Sequence, residues 1–181
     1  MRIPRLMTVL TASTLVAGAL GAQAPKSGFR AEFLSQWKGV EGKYEQLAKA
    51  MPWEKYSWRP GTGVRSVCEV FLHIGGDSYL LGKSIGGQVP ATIDFKTVET
   101  CPDSKEKVIA TMKGGMDAFA EAVMKMSDAD AEKTLKVFGS TFTYRGYLSF
   151  NLEHAGEHLG QSIAYARTNG IVPPWSMKPG M

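Results

Sequence analysis

Two histidines four residues apart, His154 and His158, are the residues of this sequence best suited to chemistry. On an α-helix, positions i and i+4 lie one above the other on the same face, so two imidazoles there can hold one metal ion. The third histidine of the chain, His73, lies in a separate helical pattern with Asp77 one turn further on. Three histidines are the ligand set of an open catalytic zinc-type site. The alternative is a surface pair of histidines that binds no metal.

The residues around the pair favour a shared site. Asn151, His154, His158, Gln161 and Tyr165 are separated by 3, 4, 3 and 4 positions, which is the spacing of a helix stripe that faces a core. Polar side chains in such a stripe need hydrogen bonds or a metal, because a buried polar group without a partner costs several kcal/mol.

His154, Glu157 and His158 also form the H-x-x-E-H pattern of one class of zinc peptidase. That class takes its third ligand from further downstream, but no Asp, Glu or His follows His158 here. The third ligand must then come from upstream, and His73 is the natural candidate. Glu157 and Asp77 are the candidate catalytic residues, through proton transfer or by orienting the ligands. The alternatives are a solvated helix residue for Glu157 and a structural hydrogen bond for Asp77.

Residues 1–24 have the pattern of a secretory signal peptide. Arg2 and Arg5 precede a run of apolar and small residues, and no acidic residue occurs before residue 25. Such a segment is removed on export, so the mature chain, residues 25–181, is expected to be periplasmic or extracellular. An uncleaved membrane anchor is the alternative, but the run is short for a membrane span. We expect no stable membrane anchor after cleavage.

The charge of the mature chain is nearly balanced. Without Arg2 and Arg5, the 21 basic residues of the full chain become 19, against 17 acidic residues. This balance, without blocks of like charge, argues against a nucleic-acid partner. A small-molecule substrate is the expected partner, and the length suits one domain with an adequate core.

Four amphipathic helical patterns account for the mature chain and predict an all-α fold, most simply a four-helix bundle. The first helix ends at Pro52. The second begins at a capping box of Ser66 and Glu69 and continues to about Ile85. The third begins near Ser104, and the fourth runs from about Thr143 to Asn169-Gly170, with a long connection and one short turn before it. No alternation long enough for a sheet is present.

Glycines flank the histidines, with Gly75 and Gly76 after His73 and with Gly156 and Gly160 on either side of His158. Each costs up to about 1 kcal/mol relative to alanine inside a helix. They let two helices approach closely enough for their histidines to share an ion, or leave space for a substrate, or they serve ordinary tight packing.

Cys68 begins the second helix and Cys101 precedes the third. The connection from Gln88 to Asp103 is long enough to cross the bundle and leave these helices parallel, with their N-terminal ends adjacent. The two thiols then approach each other and can form a disulfide in an oxidising compartment. Two free cysteines are the alternative.

One set of residues forms a distinctive pattern along the mature chain: Tyr56, Trp58-Arg59-Pro60, Ser66, Glu69 and His73, followed by the His154 and His158 pair near the C-terminus. On these residues the sequence resembles the DinB/YfiT superfamily over nearly all of the mature chain. The resemblance implies a four-helix bundle with up-down-down-up topology and a divalent metal held by three histidines, which map onto His73, His154 and His158. Members with known activity include thiol-dependent S-transferases and isomerases, and many members form dimers. Their thiol cofactors are cytosolic, whereas this chain is expected to be exported.

Two functional hypotheses follow. The first is a metal-dependent transferase or hydrolase, in which three neutral imidazoles leave coordination positions open for water or a substrate. The second is a non-enzymatic bundle that uses the metal as a structural staple or binds a small ligand. The expected cofactor is zinc or nickel, although imidazole also suits copper and iron. A homodimer is the expected assembly if the chain follows the family.

Overall fold

A computed structural model describes residues 25–177 of the chain. The expected signal peptide, residues 1–24, lies outside the described residues and stays a prediction. None of the helices between residues 25 and 177 is both long and apolar enough to cross a membrane. The described helices and strands are α1 (Phe29–Ala50), α2 (Val67–Lys83), α3 (Lys105–Lys125), β1 (Thr134–Val137), β2 (Ser140–Thr143) and α4 (Tyr144–Thr168), with short 3-10 turns at Trp53–Lys55, Asp128–Glu132 and Pro174–Ser176.

The helix boundaries follow from local capping chemistry. Ser66 and Glu69 form the predicted capping box of α2, with Ser66 Oγ accepting from the Glu69 amide at 3.3 Å and Glu69 Oε2 accepting from the Ser66 amide at 2.6 Å. Thr143 caps α4 by accepting the Gly146 amide at 3.0 Å. Gly170 ends α4 at a φ of +76°, a conformation that favours glycine. The α2 helix ends at Lys83, two residues before the predicted Ile85.

Contacts between helices establish the up-down-down-up order. Gly75 lies against Met112 and Gly82 lies against Phe119, so α2 and α3 run in the same direction. Helix α1 is antiparallel to α3, as shown by bonds from the Trp37 indole to the Met116 carbonyl (3.0 Å) and from Lys105 Nζ to the Lys49 carbonyl (2.6 Å).

Two tyrosine hydroxyls fix α4 antiparallel to α2. Tyr147 donates to the Leu81 carbonyl at 3.2 Å, and Tyr165 donates to the Arg65 carbonyl at 3.2 Å. The four-helix bundle expected from the periodicity, with the topology that the resemblance implies, is therefore confirmed. Its consequence for the site is that α2 and α4 lie side by side with their histidines at the same level.

A β-hairpin before α4 was not predicted. Strands β1 and β2 pair antiparallel, with Val137 opposite Ser140, so Phe138 and Gly139 form a two-residue turn. Both turn residues have positive φ, +53° and +76°, as the right-handed twist of a hairpin requires. The usual Asn-Gly or Asp-Gly signal is absent, and four-residue strands are too short to show alternation. The expectation that no sheet forms is wrong at this one segment.

The glycines beside the histidines do not bring α2 and α4 together. Gly75 packs against the backbone of α3, and Gly76 packs against Val98 in the connection between α2 and α3. Gly156 and Gly160 have no neighbour within 4 Å of the position that a Cβ would occupy. The close approach that glycine permits is therefore between α2 and α3.

The close α2–α3 contact at Gly115 and the open space beside Gly156 predict opposite effects of alanine substitution on the free energy of unfolding. A Cβ on Gly115 would overlap the Gly75 carbonyl oxygen, and since backbone cannot move aside cheaply, Gly115→Ala should destabilise the fold by roughly 1–3 kcal/mol. Gly156→Ala meets open space and should stabilise it by about 0.5–1 kcal/mol through helix propensity. Urea unfolding of both variants measures the difference. If both variants unfolded at the same urea concentration, the α2–α3 contact would have room for a methyl group at Gly115.

Candidate metal centre

The three histidines that the sequence singled out converge at the junction of α2 and α4. One ring nitrogen from each of His73, His154 and His158 lies within 4.8 Å of the others. The ring centroid of His73 is 5.4 Å from that of His154 and 4.6 Å from that of His158, and the two rings on α4 are 4.7 Å apart. Their side chains are partly accessible, with 10% of His73 and 22% of His154 exposed. A small ligand can therefore reach the cluster from solvent.

Hydrogen bonds on the far side of two rings fix their orientation. His73 Nδ1 lies 2.8 Å from Glu99 Oε1, and because a carboxylate only accepts, Nδ1 donates its proton to Glu99, while Nε2 is the nitrogen on the side of Asp77. His158 Nδ1 lies 2.7 Å from Gln161 Oε1. The Gln161 amide donates to the Tyr165 hydroxyl at 2.8 Å, which leaves Oε1 to accept from His158. Histidine ligands of metals characteristically have such a partner on the second nitrogen.

Asp77 lies closer to the histidines than its sequence position indicates. Its Oδ2 is 2.9 Å from His154 Nε2 and 3.2 Å from His73 Nε2. One carboxylate oxygen therefore contacts a ring nitrogen of His73 on α2 and a ring nitrogen of His154 on α4. This position suits a group that accepts protons next to the cluster, and it adds negative charge that favours a cation there.

Glu157, the other predicted catalytic residue, is exposed on α4. No hydrogen bond or ion pair found among residues 25–177 involves its side chain. Its catalytic role stays a prediction. The structure places Asp77 with the histidines and does not give Glu157 a contact to them.

Glu99 and Arg65 are site residues that the sequence argument missed. Arg65 holds Glu99 through two bonds, Nε to Oε2 at 2.7 Å and Nη2 to Oε1 at 3.0 Å. Glu99 lies in the irregular connection between α2 and α3, where helical periodicity carries no information. The one available signal was Cys101, since a bond from Cys101 to Cys68 places residue 99 beside α2.

Burial and neighbouring groups together set the protonation of Glu99 and His158. Burial tends to raise the pKa of Glu99, but hydrogen bonds from Arg65 and His73 outweigh burial and lower that pKa below the usual value. Burial lowers the pKa of His158, and the neighbouring histidines lower it further, against the opposing effect of Gln161. Glu99 is therefore a carboxylate and His158 a neutral imidazole near pH 7. A neutral imidazole has the lone pair that a metal ion needs.

The donor set fits a divalent metal ion. Three imidazoles from two rigid helices, with His73 and His158 oriented by outer partners and a carboxylate alongside, resemble the ligand shell of three-histidine centres. No cysteine competes for this position, because Cys68 and Cys101 are joined in a disulfide.

Comparisons with known proteins agree with the fold. The family model of the DinB superfamily matches residues 36–162, a range that contains all three histidines. No curated protein sequence matches the chain. A DinB-like protein from Bacillus cereus ATCC 10987 is similar in structure, with 20% identity and a TM-score of 0.69 over 78% of this chain and 93% of that chain.

Two Bacillus subtilis structures are also similar. The DinB-like protein YjoA shares 17% identity, with a TM-score of 0.62 over 78% of this chain and 93% of that chain. YfiT, described as a probable metal-dependent hydrolase with an unusual four-helix bundle topology, shares 15% identity, with a TM-score of 0.60 over 84% of this chain and 97% of that chain. These likenesses establish the fold, and the family model spans well over half of the sequence. The chain belongs to the DinB superfamily.

Proposed function

We propose that this protein is an exported metal-dependent hydrolase or transferase that acts on a small molecule. The observation that carries the proposal is the convergence of His73, His154 and His158 within 4.8 Å on a face that solvent reaches. YfiT, which shares the fold, is described as a probable metal-dependent hydrolase. The disulfide supports an oxidising compartment, in keeping with the expected signal peptide.

The roles of the residues follow from their contacts. A divalent ion held by the three histidines would polarise a carbonyl or phosphoryl oxygen of the substrate. Glu99 and Gln161 hold the rings of His73 and His158 in the orientation that presents Nε2. Asp77 Oδ2, beside two ring nitrogens, is placed to accept a proton from the attacking group.

The proposal is tested by metal analysis and a substrate screen. Protein purified without a histidine tag should contain about one zinc or nickel ion per chain. Loss of the ion to a chelator should abolish turnover of esters, amides or thiol-transfer substrates, and its return should restore turnover. Sedimentation analysis of the same sample tests the proposed homodimer.

The second candidate is a non-enzymatic bundle that uses the metal as a structural staple or binds a small ligand. Asp77 Oδ2 lies 3.2 Å from His73 Nε2 and 2.9 Å from His154 Nε2, and if this carboxylate completes the ligand set, the closed site favours the staple. Cobalt-substituted protein distinguishes the two. Azide or a small thiol should perturb the cobalt spectrum of an open site at millimolar concentration. An unchanged spectrum together with a negative screen would favour the staple.

Asp77→Asn should lower turnover by about 10²- to 10⁴-fold, because asparagine keeps the size of aspartate but cannot accept a proton. Metal content should stay close to one ion per chain if Asp77 is not a ligand. Glu153→Gln, an exposed carboxylate change on α4 one residue before His154, is the matched control and should leave turnover unchanged. Glu157→Gln in the same assay decides whether Glu157 takes part. Full turnover in Asp77→Asn would exclude Asp77 as the base.

A further inference from the structure

A continuous chain of hydrogen bonds joins the outer sides of His73 and His158. From His73 it passes to Glu99, then to the Arg65 side chain, and the Arg65 carbonyl accepts from the Tyr165 hydroxyl. Tyr165 in turn accepts from Gln161, whose oxygen faces His158. Arg65 therefore lies at the centre of this chain of hydrogen bonds. Its side chain supports His73 through Glu99, and its carbonyl supports His158 through Tyr165 and Gln161.

The weak point of this chain is Glu99. It lies on the irregular connection between α2 and α3, whereas Arg65 directly precedes the N-cap of α2, and 38% of the Glu99 side chain is exposed. Two bonds from Arg65 orient the Glu99 carboxylate, but with both side chains about 40% exposed this pair contributes only modestly to holding two segments together. A firmer restraint is needed if Glu99 is to fix His73.

The disulfide supplies that restraint. Cys101 follows Glu99 by two residues, and Cys68 lies three residues after Arg65 and five before His73. The Cα atoms of the two cysteines are 5.9 Å apart across the bond. The covalent link therefore fastens the segment that carries Glu99 to the first turn of α2, directly beside the residues that Glu99 contacts.

We propose that Glu99 is a positioning residue for His73 and that the Cys68–Cys101 disulfide keeps it in place, so that metal affinity depends on a bond outside the ligand set. This inference rests on the proposed metal site. It implies that the site reaches full affinity only in an oxidising compartment, after the disulfide has formed.

Zinc affinity, measured by competition with a chromophoric chelator, tests the proposal on the mature chain. Glu99→Ala removes the acceptor of the His73 Nδ1 proton and should weaken zinc binding by about 10- to 100-fold. Glu99→Gln keeps an acceptor and should weaken it less. The double variant Cys68→Ala/Cys101→Ala leaves Glu99 intact but unanchored and should weaken zinc binding by about 10-fold, at the lower end of the range for outer partners.

Two controls separate positioning from general loss of stability. Glu121→Gln neutralises an exposed carboxylate on α3 and should leave zinc affinity unchanged. Val123→Ala makes a cavity in the core at the other end of α3 from Cys101 and should lower stability without changing zinc affinity. If Val123→Ala weakened zinc binding as much as loss of the disulfide, or if the double cysteine variant bound zinc as tightly as the wild type, the role of the disulfide would be overturned.

A measurement without metal tests Glu99 separately. The chain has only three histidines, so their imidazole signals are readily assigned by ¹⁵N NMR. In the metal-free wild type, the His73 Nδ1 proton should exchange slowly, and in Glu99→Ala this protection should be lost. Unchanged protection would overturn the positioning role. If the wild type bound no zinc, the proposed function and the affinity part of this inference would both fail, while the NMR result would still decide whether Glu99 orients His73.

Discussion

Replacing any one of His73, His154 and His158 with alanine should lower metal affinity by at least about 100-fold. Even outer partners of metal-bound histidines commonly contribute 10- to 100-fold, and a ligand contributes more. The three losses should be similar, because each ring nitrogen lies within 4.8 Å of the other two and no one histidine dominates. Metal content by mass spectrometry and affinity by chelator competition measure the effect.

The controls for this experiment come from the same helix. Glu153→Gln changes an exposed side chain adjacent to His154 and should leave the metal content at the wild-type level. Circular dichroism checks that each alanine variant keeps its helices. If His73→Ala held metal as well as the wild type while the two α4 variants did not, the site would be a two-histidine site on α4 and the three-histidine assignment would be wrong.

The helices were predictable because their signals are local. The apolar spacing of α1 and the capping box at Ser66 and Glu69 involve residues within one or two turns of each other. Backbone geometry then determines which side chains share a face. The parallel arrangement of α2 and α3 followed from the length of the connection between them, and the disulfide follows from that arrangement.

Two features that depend on contacts between distant residues could not be predicted. Glu99 meets His73 only because the connection folds back onto α2, and Cys101, two residues further on, is the one neighbour that places Glu99 near α2. The glycines near the histidines were compatible with a close approach of two histidine-bearing helices or with ordinary packing, and Gly75 packs on α3. A helical pattern shows that a face is packed without showing which helix packs on it.

The candidate site also combines features that a single helix determines with features that depend on how the helices pack. The stripe on α4 predicted that His154, His158 and Gln161 share a face, and the structure places them there with Gln161 bonded to His158. The pairing of that face with His73 needed the bundle topology. The position of Asp77 between two histidines needed side-chain geometry as well, because one turn along a helix places a carboxylate near a site without fixing what it contacts.

Removing the disulfide should lower the free energy of unfolding of the metal-free protein by about 3–4 kcal/mol. The bond joins residues separated by 33 positions, and in the loop-entropy model a loop of that length restricts the unfolded chain by this amount. It also ties together the N-terminal ends of two parallel helices, whose connection otherwise has little regular structure. Urea unfolding of Cys68→Ala/Cys101→Ala against the oxidised wild type measures the loss.

Reduction provides the matched control for the double variant. A reducing agent should destabilise the wild type by nearly as much as the substitutions do, and it should have no effect on the variant, which has no cysteine left. Thiol titration of the exported, unfolded and unreduced wild type should detect no free thiol. Two reactive thiols per chain would show that the bond does not form, and the stability of the wild type should then equal that of the reduced protein. If the bond forms but its loss costs less than about 1 kcal/mol, the loop-entropy model fails here, and the reason lies in an unfolded chain that keeps residues 68 and 101 close without it.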